Sequence, residues 1–221
     1  MPVLLNTAYF PPIGYFALMA RDFTLSPDRV IPSIVYIEAC ENYQKQSYRN
    51  RCRYYAGNGT QTLSFPIVHV DGTHNNIPVR EVKVDYTMDW VTRHEKAIES
   101  AYRTSAYFDY YADELFAILD SRPETLFDLN LQIIGFFIRK TGLAVDLRLT
   151  EDFSPCGSSE YGDDFREKIH PKRQDTILHD LDLEKPYFQV FSGKYGFIRN
   201  LSIMDLLFNE GPDSILWLKN I

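Results

Sequence analysis

The chain predicts an α/β or α+β fold, with a mixed sheet from its N-terminal half packed by a helical block, in a single domain over residues 1–221. Up to Tyr86, β-branched and aromatic residues recur in short, turn-bounded runs, which is the pattern of strands. From Trp90 the apolar period changes to that of a helix. The chain is 45% hydrophobic and 24% charged, ordinary values that exclude a disordered, collagenous or coiled-coil protein. A chain of this length buries roughly 70% of its unfolded surface, so it needs no covalent staples.

Each element follows from a local signal. Val3 to Phe10 is apolar and is stopped by Pro11-Pro12, because proline supplies no ladder donor and disfavours helix in the residue before it. A short helix is expected over Gly14 to Arg21, and Phe23 to Pro32, rich in Pro, Asp and Ser, is expected to be a loop. Ser33 to Tyr55 reads as extended. Gly57-Asn58-Gly59 supplies a tight turn into a strand over Thr62 to Val70, which makes a hairpin. A second turn is expected over Asp71 to Asn76, then a strand from Arg80 to Tyr86.

Residues 89–104 form an amphipathic helix whose apolar stripe contains Trp90, His94, Ile98 and Tyr102. Further helices are expected over Phe108 to Leu119 and from Asp128 to a stop at Gly142. Leu143 to Leu149 alternates as a strand, and Asn200 to Asn209 makes a last helix.

Several chemistries are excluded. The net charge of −7 disfavours nucleic acid and anionic lipid, so any anion must be held by a local basic cluster. Cys40, Cys52 and Cys156 form no C-x-x-C pair and the five histidines no i, i+4 pair, so no metal site is expected. Ser192-Gly193-Lys194 lacks the spacing of a phosphate-binding loop, and no G-x-G-x-x-G, H-E-x-x-H or G-x-S-x-G is present. The sequence names no cofactor. The N-terminal residues lack the features of a signal peptide, and the apolar stretch around Ile133 to Ile138 is too short to span a membrane, so the expectation is a cytoplasmic protein.

Three constellations remain. If Tyr43 to Arg53 is a strand, Lys45, Arg49, Arg51 and Arg53 share one face, and guanidinium forks suit phosphate or carboxylate. The competing reading pairs these cations with the chain's own carboxylates. His94 suits a general base, against the plainer role of a satisfied core histidine, and Glu38 is a nearby carboxylate for orientation or proton transfer, or a buried partner for Arg49 or Arg51. The strand-turn-helix around Pro12, Gly14 and Tyr15 is the third, because helix N-termini expose N–H groups to anions.

Tyr9-Phe10-Pro11-Pro12-Ile13-Gly14-Tyr15-Phe16, Tyr36-Ile37-Glu38, Tyr43 to Arg51 and Ser64-Phe65-Pro66-Ile67 resemble the ordered motifs of the WbqC-like family. The order continues with Trp90, His94, Ile98 and Tyr102, with Ala106-Tyr107-Phe108 and with Leu126 to Asn130. Thr7-Ala8 departs from the Gln-Pro usual before the first aromatic pair. The resemblance implies a place in surface-polysaccharide or O-antigen synthesis and marks Glu38, Lys45, Arg49, Asn50, Arg51 and His94 as site candidates.

The resulting expectation is an enzyme that acts on a nucleotide-linked sugar or similar anionic small molecule, with acyl or aminoacyl transfer as one version. Lys45, Arg49, Asn50 and Arg51, with Gly14 and Tyr15, would hold the substrate, and His94 with Glu38 would handle a proton. The alternative is a non-catalytic protein that recognises a biosynthetic enzyme or an anionic glycan precursor through the same basic face.

Overall fold

A computed structural model describes residues 1–26, 29–68, 77–158, 160–174 and 176–220. The turn expected over Asp71 to Asn76, together with His69, Val70 and His74, lies outside them. In chain order the elements are β1 (Val3–Asn6), α1 (Ile13–Ala20), β2 (Thr24–Ser26), β3 (Arg29–Ile31), β4 (Ser33–Glu38), β5 (Arg51–Ala56) and β6 (Gly59–Ser64). They continue with α2 (Trp90–Tyr102), α3 (Phe108–Asp120), α4 (Leu126–Lys140), β7 (Val145–Leu149), β8 (Asp163–Asp164), α5 (Ile177–Asp180), α6 (Ser192–Tyr195), α7 (Ile203–Glu210) and α8 (Ser214–Leu218).

The fold is mixed α/β. Its four-stranded sheet runs β7-β4-β1-β8 with every pairing parallel, so two of its strands come from the second half of the chain. Val3 pairs with Val35 on one side and Asp163 on the other, which makes β1 a central strand. Counted in chain order, these strands lie third, second, first, fourth. That is the order of the first four positions of a Rossmann-type sheet, whose direction of winding reverses beside its first strand. Two antiparallel pairs, β2-β3 and β5-β6, stand apart from this sheet.

Parallel strands are buried on both faces and read as continuous apolar runs. Val3, Leu4, Leu5, Val35 and Ile37 are accordingly buried. The helix α1, in contact with β1 and β4, is buried along all eight residues, which explains its apolar composition on every side. Its entry is fixed by Phe10, held at φ 42° and packed edge-on against Tyr9 and Phe137. Here Ile13 donates to the Leu201 carbonyl and Ile203 to that of Pro11, tying the start of α1 to the start of α7. At the other edge Gly162 has φ +96°, and a Cβ there would run into the Pro2 carbonyl, so only glycine lets β8 approach β1.

The helical block follows its apolar stripes. Trp90, His94, Ile98 and Tyr102 face inward from α2. In α4 the N-cap is Thr125 rather than Asp128: the Thr125 hydroxyl accepts from the Asp128 N–H at 3.1 Å, two residues beyond the helix start. Departures occur where local pattern competes with the tertiary context. Gln44 to Asn50 is turn and a 3₁₀ turn rather than strand, and Arg80 to Tyr86 makes only isolated bridges, Ile67 with Val84 and Lys83 with Thr125. Within Phe23 to Pro32, expected as loop, lie β2 and β3.

Candidate functional site

The carboxyl ends of the parallel strands carry the densest polar network. Asn6 ends β1, Glu38 ends β4, Thr150 follows β7 and Asp164 ends β8. Just outside this edge is a cavity of roughly 370 Å³, lined in part by Asn6, Glu41, Gln44, Phe153, Cys156 and Arg166. In open α/β sheets this edge, at the point where strand order reverses, is where ligands bind, and pockets for small molecules begin at about 300 Å³.

Two ion-pair systems lie at this edge, and one member of each, Arg166 and Glu41, lines the cavity. Arg166, 5% exposed, donates through Nε and Nη2 to Asp164 at 2.9 and 2.7 Å, and through Nη1 to Glu38 at 2.7 Å. Glu38, completely buried, also accepts from the Cys40 N–H and the Thr150 hydroxyl at 2.8 and 2.7 Å. Beside it Glu41 holds Arg49 in a fork, with Nε on Oε1 at 2.9 Å and Nη2 on Oε2. Burial opposes the charge on Asp164 and on Glu41. In Asp164 the bonds from Arg166 overcome it and hold the pKa below the usual carboxylate value, whereas in Glu41 burial prevails over Arg49 and pushes the pKa up.

Basic groups lie near the lining segment without entering it. Lys45, next to the lining residue Gln44, is exposed and makes no ion pair among the described residues. Arg51 lies near Tyr43, a cavity residue, and its buried Nε has no hydrogen-bond partner. Lys172 reaches Gln46 and so joins the segment after β8 to the loop before Arg49. His170 accepts from the Lys172 N–H through Nδ1, which places its proton on Nε2, and burial together with Arg173, Arg49 and Lys172 lowers its pKa.

The sequence candidates therefore divide. Glu38 and Arg49 are outside the cavity's lining and do not pair with each other: Arg166 holds the first and Glu41 the second. Lys45 and Arg51 do not line the cavity, though each lies beside a residue that does, Gln44 in the chain for the first and Tyr43 for the second. Tyr15 is buried in the electrostatic range of Glu41 and Arg49, and its hydroxyl donates to the Asn6 carbonyl at 2.8 Å. Asn50 donates to the Phe65 carbonyl at 3.0 Å, and the Gly14 N–H to Asn200 at 2.7 Å.

His94 does not line this cavity. Its Nδ1 is 2.8 Å from the Tyr9 hydroxyl, its Nε2 3.3 Å from the Ser64 carbonyl, and its ring is edge-on to Trp90. Burial pushes its pKa down to about 4. Sequence reasoning missed Glu41, Asp164, Arg166 and Asn6. Only the acidic-basic spacing of Asp164 and Arg166, and Glu41 placed three residues after Glu38, offered a signal.

These features define a mixed α/β protein with a parallel half-sheet and a charged cavity at its carboxyl edge. Residues 7–166, more than two thirds of the chain, match the model of the WbqC-like protein family, and the chain belongs to that family. No curated protein and no solved structure matches it. No helix among the described residues is long and apolar enough to cross a membrane, and no described cluster of His, Cys, Asp and Glu could hold a metal ion.

Proposed function

We propose that the protein is a cytoplasmic enzyme of surface-polysaccharide synthesis that binds a nucleotide-linked sugar in this cavity and transfers a small acyl or aminoacyl group. The observation that carries the reading is the cavity's position, at the carboxyl edge of a parallel sheet beside the strand where winding reverses. A buried acidic floor suits the hydroxyls of a sugar, and the exposed aromatic face of Phe153 suits its apolar side.

Lys45 and Arg51, with Lys172, take the phosphates at the opening. Glu41 handles the proton in place of His94: it lines the cavity, and burial raises its proton affinity toward the working range of a general base. Glu38, Asp164 and Arg166 hold the frame, Arg49 orients Glu41, and Tyr15 fixes Asn6.

One observation favours the non-catalytic alternative, because Glu38 and Arg49 sit in closed ion pairs, as in a purely structural network. A thermal-shift panel of sugar nucleotides separates the two. A ligand present at a hundred times its Kd adds about 2.7 kcal/mol, a rise of several degrees in Tm for a chain of this size. No shift with any sugar nucleotide, together with a pathway enzyme that co-purifies, overturns the catalytic reading.

A further inference from the structure

The cavity is electrically divided. Its lining carries two carboxylates, Glu41 and Glu167, and one guanidinium, Arg166; with the ion-pair partners behind them, Arg49, Arg173, Glu38 and Asp164, the group has four carboxylates against three guanidiniums. All three guanidiniums are committed to those carboxylates, so the group keeps one negative charge in excess. Lys45, which makes no ion pair among the described residues, follows the lining residue Gln44 in the chain, and Arg51 lies near the lining residue Tyr43. An uncompensated buried charge is costly, and a ligand of opposite sign recovers the cost.

Two buried polar atoms lack partners as well, one in Asn6, which lines the cavity, and one in Ser154, which follows the lining residue Phe153 in the chain. Asn6 donates through Nδ2 to the Arg166 carbonyl at 2.8 Å, which fixes the amide and leaves Oδ1, an acceptor, buried with none. Ser154 is completely buried next to the cavity residue Phe153; its carbonyl accepts from Arg166 while its hydroxyl has no partner. Of the twelve such atoms among the described residues, the Asn6 oxygen is the one on a cavity-lining side chain, and there a ligand can supply the missing donor.

A neutral hydroxyl would supply a donor and leave the charge. A phosphate or carboxylate would add to it. A protonated amine answers both, because an ammonium brings three donors and one positive charge.

We infer that the ligand carries a protonated amine on its sugar, seated toward the Glu41 and Asn6 floor with its phosphates outward at Lys45 and Arg51: a nucleotide-linked amino sugar. This rests on the sugar-nucleotide reading of the cavity and narrows it. Specificity follows from the charge, since the N-acylated sugar has lost the ammonium and meets the same floor without compensation.

The test is a binding titration of the wild-type protein with UDP-glucosamine, UDP-N-acetylglucosamine and UDP-glucose, repeated with 4-amino-4-deoxy sugar nucleotides and their N-acetyl forms to cover the position of the amine. At least one amine is expected to bind about tenfold or more tightly than its acetylated and hydroxyl counterparts, the factor for one charge-assisted contact. The preference is expected to fade as pH rises through the amine's own pKa, and to fall in Glu41→Gln. The pH arm uses unmodified protein, so it stands even if that variant is unstable. Sugar nucleotides that bind with no preference for an amine overturn this inference and leave the proposed function standing. If none of them binds, both fall.

Discussion

Glu38 and Arg166 are 128 positions apart in the chain, yet their side chains meet at 2.7 Å across the carboxyl end of β1. Because β4 and β8 flank that strand on opposite sides, this single ion pair spans the sheet's midpoint. Removing the guanidinium leaves the fully buried Glu38 and the half-buried Asp164 without a cation, which costs far more than the intact pair contributes. Arg166→Met is expected to lose about 3–5 kcal/mol in denaturant unfolding, with Arg166→Lys retaining part. A loss under 1 kcal/mol would mean that the carboxylates escape to solvent.

For His94 the prediction concerns acid. With a folded pKa of about 4 against 6.5 for the free side chain, the unfolded chain binds the proton first. Stability from this group is therefore full above pH 6.5 and is lost as pH falls toward 4, about 3 kcal/mol over the window. The imidazole resonances of His94 should not titrate between pH 8 and pH 5.5, and in His94→Gln the acid slope of stability should flatten. A His94 midpoint near 6.5 would contradict its burial beneath Tyr9 and Trp90.

Asp205 behaves in the opposite sense. Its carboxyl accepts from Tyr187 and Gln189 at 2.5 and 2.7 Å with no cation among these contacts, and burial raises its pKa from 3.8 to about 6. The folded protein now binds the proton more tightly, so stability from this group is full below pH 3.8 and falls as pH rises through 6. Asp205→Asn keeps an acceptor for both donors and removes the charge. It is expected to raise Tm at pH 7.5, by an amount corresponding to at most about 3 kcal/mol, and to give no gain near pH 4.

The thiols report on the cavity. Cys156 is exposed and lines it, whereas Cys52 is buried and its pKa is pushed far up by burial. A maleimide is expected to label Cys156 first and Cys52 only on unfolding, with mass spectrometry as the readout. A sugar nucleotide that fills the cavity should slow Cys156 labelling several-fold. Unchanged labelling at saturating ligand would place the ligand elsewhere.

Much of this fold was legible in the sequence, and what escaped follows a rule. The helices α2, α3 and α4 were readable because a 3.6-residue stripe is a local property, and His94 fell inside one. The run from Gln44 to Asn50 was not, because its polar alternation imitates a strand while Arg49 is turned inward by Glu41, eight residues back. A two-residue strand such as β8 has no period at all. The carboxylate of Glu38 could be read as buried, but its partner could not, since Arg166 reaches it only after the parallel sheet is assembled.

The first strand of the chain is the one that both flanks need, and its second neighbour is not synthesised until Asp164. A nascent or cleaved chain that ends before Gly162 therefore presents Val3–Asn6 with bare amides along one side, an invitation to pair with another molecule. Assembly of this chain's parallel sheet must wait on a short, late segment, and until then the amino-terminal strand needs shielding.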